Sequence, residues 1–181
     1  MLDFKSRVAK KVLNYYFLNE NKKSYINELA RIVEEEAKNV YRILVRLEKT
    51  GILASQFNGN ERYFYANRKS PVYKGYKTIF LKTVGIEELL KKALKKIPGI
   101  KEAYIYGSYA KNMLKADSDI DLLLIGGHNV LETQRIIHRV QKQSGREINV
   151  VNMAGDELKR RKNKGDQLIK SIFEGKNIKL L

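Results

Sequence analysis

The chain has no cysteine in its 181 residues, so disulfides and thiolate-ligated metals are excluded. A reducing, cytoplasmic location is the expectation. It has only two histidines, His128 and His138, and neither has a partner at metal-ligand spacing. His138 sits beside Arg139 in a predicted helix and is expected at the surface. No apolar run approaches the roughly 20 residues that cross a bilayer, so no membrane role is expected. The N-terminus shows no basic start followed by an apolar core and a small-residue cleavage site, so no signal peptide is expected. Internal repeats and low-complexity segments are also lacking. Acidic residues are in short supply: 20 Asp+Glu face 36 Lys+Arg, a net charge of +16.

What remains is an ordinary globular composition with 43% hydrophobic residues, enough for a core. The length suits one large domain or two small ones. The charge is spread along the chain. Residues 1–70 hold 14 basic and 8 acidic side chains, and residues 71–181 hold 22 and 12. A field of this sign on both halves favours polyanions: DNA, RNA, nucleotides or an anionic membrane face. Charge alone does not choose between them.

Two folding units are expected, residues 1–70 and 85–181, joined by a connector over 71–84. In the first, Val8, Val12, Leu13, Tyr16 and Phe17 recur at helical spacing over 5–18. Ser24 is a candidate cap for a short second helix reaching Ile32. A third helix is expected from Glu36 to Thr50, with Val40, Ile43, Leu44 and Leu47 inward and Gly51 ending it. Two short strands about Asn58-Gly59-Asn60 then read as a hairpin. Three helices and a hairpin resemble a winged helix-turn-helix, in which the third helix enters the major groove. Its outward Lys38, Asn39, Arg42 and Arg46, with Arg62 near the hairpin tip, are the candidate DNA-binding residues. Asn and Arg can bond adenine and guanine edges in pairs. Glu34-Glu35-Glu36 would suit the helix dipole but repel nearby phosphate. A packing or dimerisation module with a solvated basic face would fit the same pattern.

The connector's Tyr73, Tyr76, Ile79, Phe80 and Leu81 are expected to pack between the units. A helix from Ile86 to Lys96 is stopped by Pro98-Gly99. Strands are predicted at Ala103–Tyr106, Ile120–Ile125 and Glu147–Val151, with a last extended piece at Ile178–Leu181. A helix over 129–143 buries Leu131, Ile136, Ile137 and Val140, and two more begin at Asp156 and Asp166 as N-caps. The expected class is α+β: a winged helix-turn-helix followed by a small α/β domain with a mixed sheet.

The chemistry is concentrated in Tyr104–Ile125. A strand ends in Gly107-Ser108, where glycine lets backbone approach a ligand and the following N–H groups open a helical turn. Gly107, Ser108 and, nearby, Lys111 are candidate contacts for nucleotide phosphates. A solvated side chain fits Lys111 equally well, and Asn112 tolerates a left-handed backbone. Asp119 and Asp121 are two apart on a strand and point to one face. Two adjacent carboxylates repel unless a cation lies between them, and Mg2+ prefers oxygen ligands with phosphates in its shell. Lys159, Arg160, Arg161, Lys162 and Lys164 form a dense basic run that suits either nucleic acid or solvent.

Gly-Ser with Asp-Ile-Asp-Leu beginning eleven positions after the serine resembles the signature of the polymerase-beta-like nucleotidyltransferase superfamily. The layout resembles small prokaryotic proteins in which a winged helix precedes a minimal nucleotidyltransferase domain. The resemblance implies that Asp119 and Asp121 bind the metals and that a third carboxylate stands on a later strand. Glu147 is a candidate for that third catalytic position, and Asn149 on the same face could occupy it instead. The implied function is Mg2+-dependent transfer of a nucleoside monophosphate from an NTP, with ATP the expected donor, to an acceptor hydroxyl on a protein or RNA. The alternative is a DNA-binding regulator whose second domain only binds nucleotide or dimerises. Winged-helix regulators commonly read two half-sites, which makes a homodimer the expected assembly.

Overall fold

The computed structural model describes residues 4–113 and 118–181. The motif's residues 114–117 lie outside that range. The chain divides into two compact units. One runs up to Leu89 and includes Lys142–Gly145; the other comprises Leu90–Gln141 and Arg146–Leu181.

In the first unit, α1 (Arg7–Leu18) starts where the Ser6 hydroxyl accepts the Ala9 N–H. Its Val12, Leu13, Tyr16 and Phe17 are buried almost completely, each such side chain contributing on the order of 2 kcal/mol. Ser24 does not cap a helix. It lies in a short strand, β1 (Lys23–Tyr25), opposite Phe64, and its hydroxyl shares a 2.8 Å hydrogen bond with Tyr15. The helix α2 (Ile26–Val33) therefore begins after Tyr25 without a side-chain cap. A buried hydroxyl facing a tyrosine gains more from that partner than from a helix end.

Glu34 takes a left-handed backbone (φ 53°) to end α2, and Glu35 then meets two cations of α1. Lys11 Nζ and Arg7 Nη2 each lie 2.8 Å from its Oε1. Burial alone would raise the Glu35 pKa, but the bonds from Lys11 and Arg7 take it below the ordinary value. The next helix, α3 (Ala37–Lys49), buries Val40, Leu44 and Leu47 and leaves Ile43 half-buried. It stops before Gly51 at φ 75°. The hairpin of β2 (Leu53–Asn58) and β3 (Glu61–Ala66) turns on Gly59-Asn60, and β3 lies between β1 and β2 in an antiparallel sheet.

Residues expected as a connector form a helix, α4 (Tyr73–Thr83). Tyr73 and Phe80 are fully buried with ring centroids 5.4 Å from Phe17, whereas Ile79 is exposed. Aromatic spacing of seven residues places Tyr73 and Phe80 on one helical face.

The second unit continues from α5 (Ile86–Leu94) into β4 (Ile100–Tyr106), the single turn α6 (Gly107–Ala110), β5 (Ile120–Gly126), α7 (Val130–Ser144) and β6 (Ile148–Met153). Then come α8 (Gly155–Asn163), α9 (Gln167–Phe173) and β7 (Ile178–Lys179). The sheet order is β6-β5-β4-β7, with β5 and β6 parallel and the other pairs antiparallel. This is the mixed sheet expected. Both faces of β5 are buried: Ile120, Leu122 and Leu124 on one, Leu123 and Ile125 on the other. The second face packs with Tyr104, Met153, Ile169 and Ile172.

Two expected details differ. Leu131 is exposed and Thr133 is buried, because the inward stripe of α7 runs through Thr133, Ile137 and Val140, and Leu131 falls about 200° away on the helix. Asp156 lies within the first turn of α8, whose N-cap is Ala154. Asp166 does cap α9, accepting the Ile169 N–H at 3.1 Å.

Candidate active site

The site grows from the junction of β4 and α6. Gly107 has φ 71°, and a Cβ built on it would stand 2.1 Å from the Asp121 Oδ2. Only glycine tolerates both the backbone and the contact. Its α-carbon is therefore the wall against which the carboxylate rests. Beyond it, Met113 N–H bonds to Ser108 O at 2.8 Å and Lys111 N–H to Gly107 O at 3.2 Å. Asn112 takes the left-handed backbone foreseen for it, at φ 56°. Lys111 is exposed and Ser108 half-buried.

Asp121 lies opposite Tyr106 of β4 on one side and Asn149 of β6 on the other, so the three form a row across the sheet. Asp119 immediately precedes the strand. Its Oδ2 accepts a hydrogen bond from Asn149 Nδ2 at 3.0 Å. Burial first, and the Asp119 charge second, push the Asp121 carboxyl above its ordinary pKa, with a hydrogen bond from Asn149 acting against them. Burial, then the Asp121 charge, also raise the Tyr106 phenol. The backbone ahead of Asp119 is held by Arg146, buried at 6% exposure, whose Nη1 donates to Ser118 O at 2.9 Å.

Glu147 stands one residue before β6 with an exposed side chain, and its carbonyl accepts the Ile120 N–H at 3.0 Å. Among the described residues no group of three acids, histidines or cysteines could hold a metal. Asn149 reaches the aspartate pair through its hydrogen bond to Asp119. An amide there supplies a donor to the carboxylates, where an acid would add a third negative charge. Two oxygen-only side chains, mutually repelling, half-desolvated and without an ion-pair partner among the described residues, suit a hard divalent cation.

Three neighbours carried no clear sequence signal. Tyr106 is visible only as the residue before Gly107, Arg146 only as a cation entering an apolar strand. His128 follows β5, and its Nε2 lies 2.7 Å from Asn152 Oδ1. The basic run of α8 is partly engaged within its own unit: Arg161 bonds Glu157 at 2.7 Å and approaches Asp166, Arg160 lies 3.6 Å from Asp156, and Lys162 sits over the Phe173 ring.

A family model described as a nucleotidyltransferase domain matches residues 86–178, just over half of the 181-residue chain and the whole of this sheet up to the first residue of β7. The chain belongs to that family. Over 55 residues this nucleotidyltransferase-family chain is 38% identical to a candidate protein adenylyltransferase of Methanocaldococcus jannaschii, which covers 29% of this chain and 59% of the relative. The match thus spans less than two thirds of that relative's length. Among solved structures, a candidate nucleotidyltransferase from Sulfolobus solfataricus shares 23% identity over 41% of this chain and 68% of its own, at a TM-score of 0.30. A toxin–antitoxin structure with AMP-PNP shares 17% over 52% and 72%, at 0.40. The archaeal chromatin protein TrmBL2 shares 20% over 92% and 72%, at 0.30. At these TM-scores the structural likenesses carry over no property.

The candidate DNA-binding residues lie on the first unit. Lys38, Arg42 and Arg46 are exposed on α3, and Asn39 is half-buried with its Nδ2 on Glu36 Oε2 at 3.3 Å. Arg62 is held otherwise. Its Nη2 is 2.6 Å from Glu48 Oε2, its Nε donates to Ser55 Oγ at 2.9 Å, and its guanidinium faces the Phe57 and Phe64 rings. No helix among the described residues is long and apolar enough to cross a membrane.

Proposed function

We propose that the domain expected over residues 85–181 transfers a nucleoside monophosphate from an NTP, in first place ATP, to an acceptor hydroxyl. The observation that carries this is the seating of Asp121 against Gly107, with Asp119 beside it, inside the segment that matches the nucleotidyltransferase domain. The adenylyltransferase name borne by the Methanocaldococcus relative supports ATP as donor and a protein hydroxyl as acceptor; an RNA hydroxyl is the other acceptor class. Asp119 and Asp121 would hold Mg2+, which when bound supplies charge neutralisation at the triphosphate and activation of the attacking oxygen. Gly107, Ser108 and Lys111 would meet the phosphates.

In the transfer the acceptor oxygen forms a bond to the α-phosphorus, the bond from that phosphorus to the bridging oxygen breaks, and pyrophosphate leaves with the electron pair. The acceptor proton passes to solvent or to a carboxylate of the site, with Glu147 the candidate; the neutral amide of Asn149 cannot take it. Asn149 instead orients Asp119 through its 3.0 Å hydrogen bond, and Arg146 fixes the backbone that carries Asp119.

Residues 1–70, within the first unit, are read as a winged helix-turn-helix that tethers this activity to DNA, with α3 as the recognition helix and a homodimer as the assembly. The helix order, the two-residue hairpin and the exposed Lys38, Arg42 and Arg46 support that reading.

The test is calorimetry of ATP, GTP, CTP and UTP with Mg2+, on the native chain and on an Asp119→Asn/Asp121→Asn variant. Binding of one nucleotide by the native chain alone is the expected result. Equal binding by both proteins, or by neither, refutes the metal–nucleotide site. A second reading, a DNA-binding regulator that holds nucleotide without turning it over, is favoured by Asn149 standing beside the aspartates in place of an acid. It predicts Mg2+-dependent ATP binding with no pyrophosphate release under any acceptor, and DNA affinity that changes with Mg-ATP.

A further inference from the structure

The first unit contains a cavity of about 300 Å³ between the start of α1 and the outer side of α3, lined by Ser6, Val8, Asn39, Arg42, Ile43 and Arg46. Arg42 and Arg46 are four apart, one helical turn, so their guanidinium groups sit on the same side. Like charges at that spacing repel, and neither arginine has a carboxylate partner among the described residues. Two acids just ahead of α3 in the chain are committed elsewhere. Glu35 is held by Arg7 and Lys11, and the Glu36 carboxylate accepts from Asn39. The Ser6 hydroxyl accepts from Ala9, which leaves its own proton to donate.

The polar lining is therefore rich in donors: two planar guanidinium forks and a hydroxyl, beside the Asn39 carboxamide, which already donates to Glu36. Forks of this kind match phosphate oxygens in pairs. Val8 and Ile43 add an apolar wall, and the volume stands at the lower end of the range for small-molecule sites, with room beyond a bare phosphate. A surface that only reads DNA projects its side chains outward; here the same side chains border a hollow.

We propose that this cavity binds a small phosphate monoester carried on an organic group of about nucleoside size. The arginine pair takes the phosphate, and Val8 and Ile43 take the organic part. The inference is independent of the transfer chemistry. It shares Asn39, Arg42 and Arg46 with the DNA-binding reading, so a bound monoester would withdraw those side chains from DNA.

The experiment uses AMP as the probe, without divalent cations, on the full chain, followed by calorimetry and by amide shifts in NMR spectra. Adenosine is the control for the phosphate. Arg42→Ala/Arg46→Ala removes the pair at exposed helical positions where alanine keeps helix propensity. Lys38→Ala/Lys49→Ala removes two charges of the same helix outside the cavity, and Asp119→Asn/Asp121→Asn removes the candidate active site. AMP is expected to bind where adenosine does not, with shifts at Val8, Asn39 and Ile43. The arginine variant should weaken AMP by about tenfold or more, the scale of lost hydrogen bonds to a charged group, while the lysine and aspartate variants do not. Equal AMP affinity in the native and arginine-variant chains, or absence of AMP binding by both, overturns the proposal, as does equal binding of adenosine.

A short duplex DNA separates the sources of phosphate. If the arginine variant weakens duplex binding while AMP does not bind the native chain, the cavity belongs to a DNA face and the monoester proposal fails. If AMP binds and no duplex does, the DNA reading fails and the cavity stands. If AMP displaces the duplex, both hold.

Discussion

The two units use charge in opposite ways. On α3 the cations are exposed and close to one another, and the nearby acids are tied to other partners. At the start of β5 two acids crowd together, half-desolvated, with an amide as their described hydrogen-bond partner. Other charges among the described residues are matched inside the fold, as Arg62 is by Glu48 and Glu35 by Lys11. The difference teaches a rule for this molecule. A charge whose partner is within the fold holds the fold, and a like-charged pair left facing itself is built for something that arrives from outside.

The largest expected effect is at the acid pair. Asp119→Asn/Asp121→Asn should abolish Mg2+-dependent nucleotide binding, and the metal-free protein should melt at a higher temperature than the native chain because a buried repulsion is removed. Calorimetry and thermal melts with and without Mg2+ read both. A variant that melts lower and still binds would break the contrast between the two units.

Gly107→Ala comes next. The added Cβ must enter the space of the Asp121 carboxylate, and the left-handed backbone itself costs roughly 1–2 kcal/mol for a residue with a side chain. Nucleotide binding should fall to the level of the aspartate variant, while the melting temperature drops by only a few degrees. Full binding by this variant would show that Gly107 does not seat the carboxylate.

The arginines sharpen the comparison within the first unit. Arg42→Ala and Arg46→Ala should each weaken duplex binding and lower the salt slope by about 1, with stability unchanged. Arg62→Ala should do the reverse, costing ~1 kcal/mol of stability through Glu48 and Ser55 with little change in DNA affinity. Fluorescence anisotropy at several salt concentrations and urea unfolding distinguish them. Loss of DNA affinity only in the Arg62 variant would return that residue to the interface.

The smallest effect is pH-dependent. The Glu35 pKa is depressed in the folded chain, so its contribution is present above the unfolded carboxylate value and lost as pH falls through the depressed one. Glu35→Gln should therefore lower stability at neutral pH. The gap from the native chain should close below pH 4.5, the ordinary glutamate value. Urea midpoints at pH 7 and pH 3 measure the gap; a constant gap would mean that the ion pair contributes nothing.

Much of the arrangement was legible from residue pattern. The stripe of α3, the two-residue hairpin, the alternation of β5 and the pair Asp119 and Asp121 each follow from a local period that the fold preserves. The errors share a cause. Ser24 looks like a cap until Phe64 and Tyr15, distant in sequence, claim it for a sheet and a hydroxyl bond. The stretch 71–84 looks like a connector until Phe17 supplies a surface for Tyr73 and Phe80. Glu147 and Asn149 are equal candidates by alternation, since they share a face. Register against β5 then sets Asn149 opposite Asp121, and the Asn149 amide bonds Asp119, which alternation alone does not show.

By itself the sequence determined the two kinds of chemistry available: an acid pair two residues apart after a Gly-Ser turn, and a basic helix without cysteine or histidine ligands anywhere near. Short-range periodicity and spacing are properties of neighbouring residues, so they survive whatever the rest of the chain does. Only the tertiary structure decided which charges are matched, that Asn149 bonds Asp119, that Gly107 backs Asp121, and that Arg42 and Arg46 border a hollow. Each of these depends on strand register or on the approach of two helices, and those are set by packing among residues far apart in the chain.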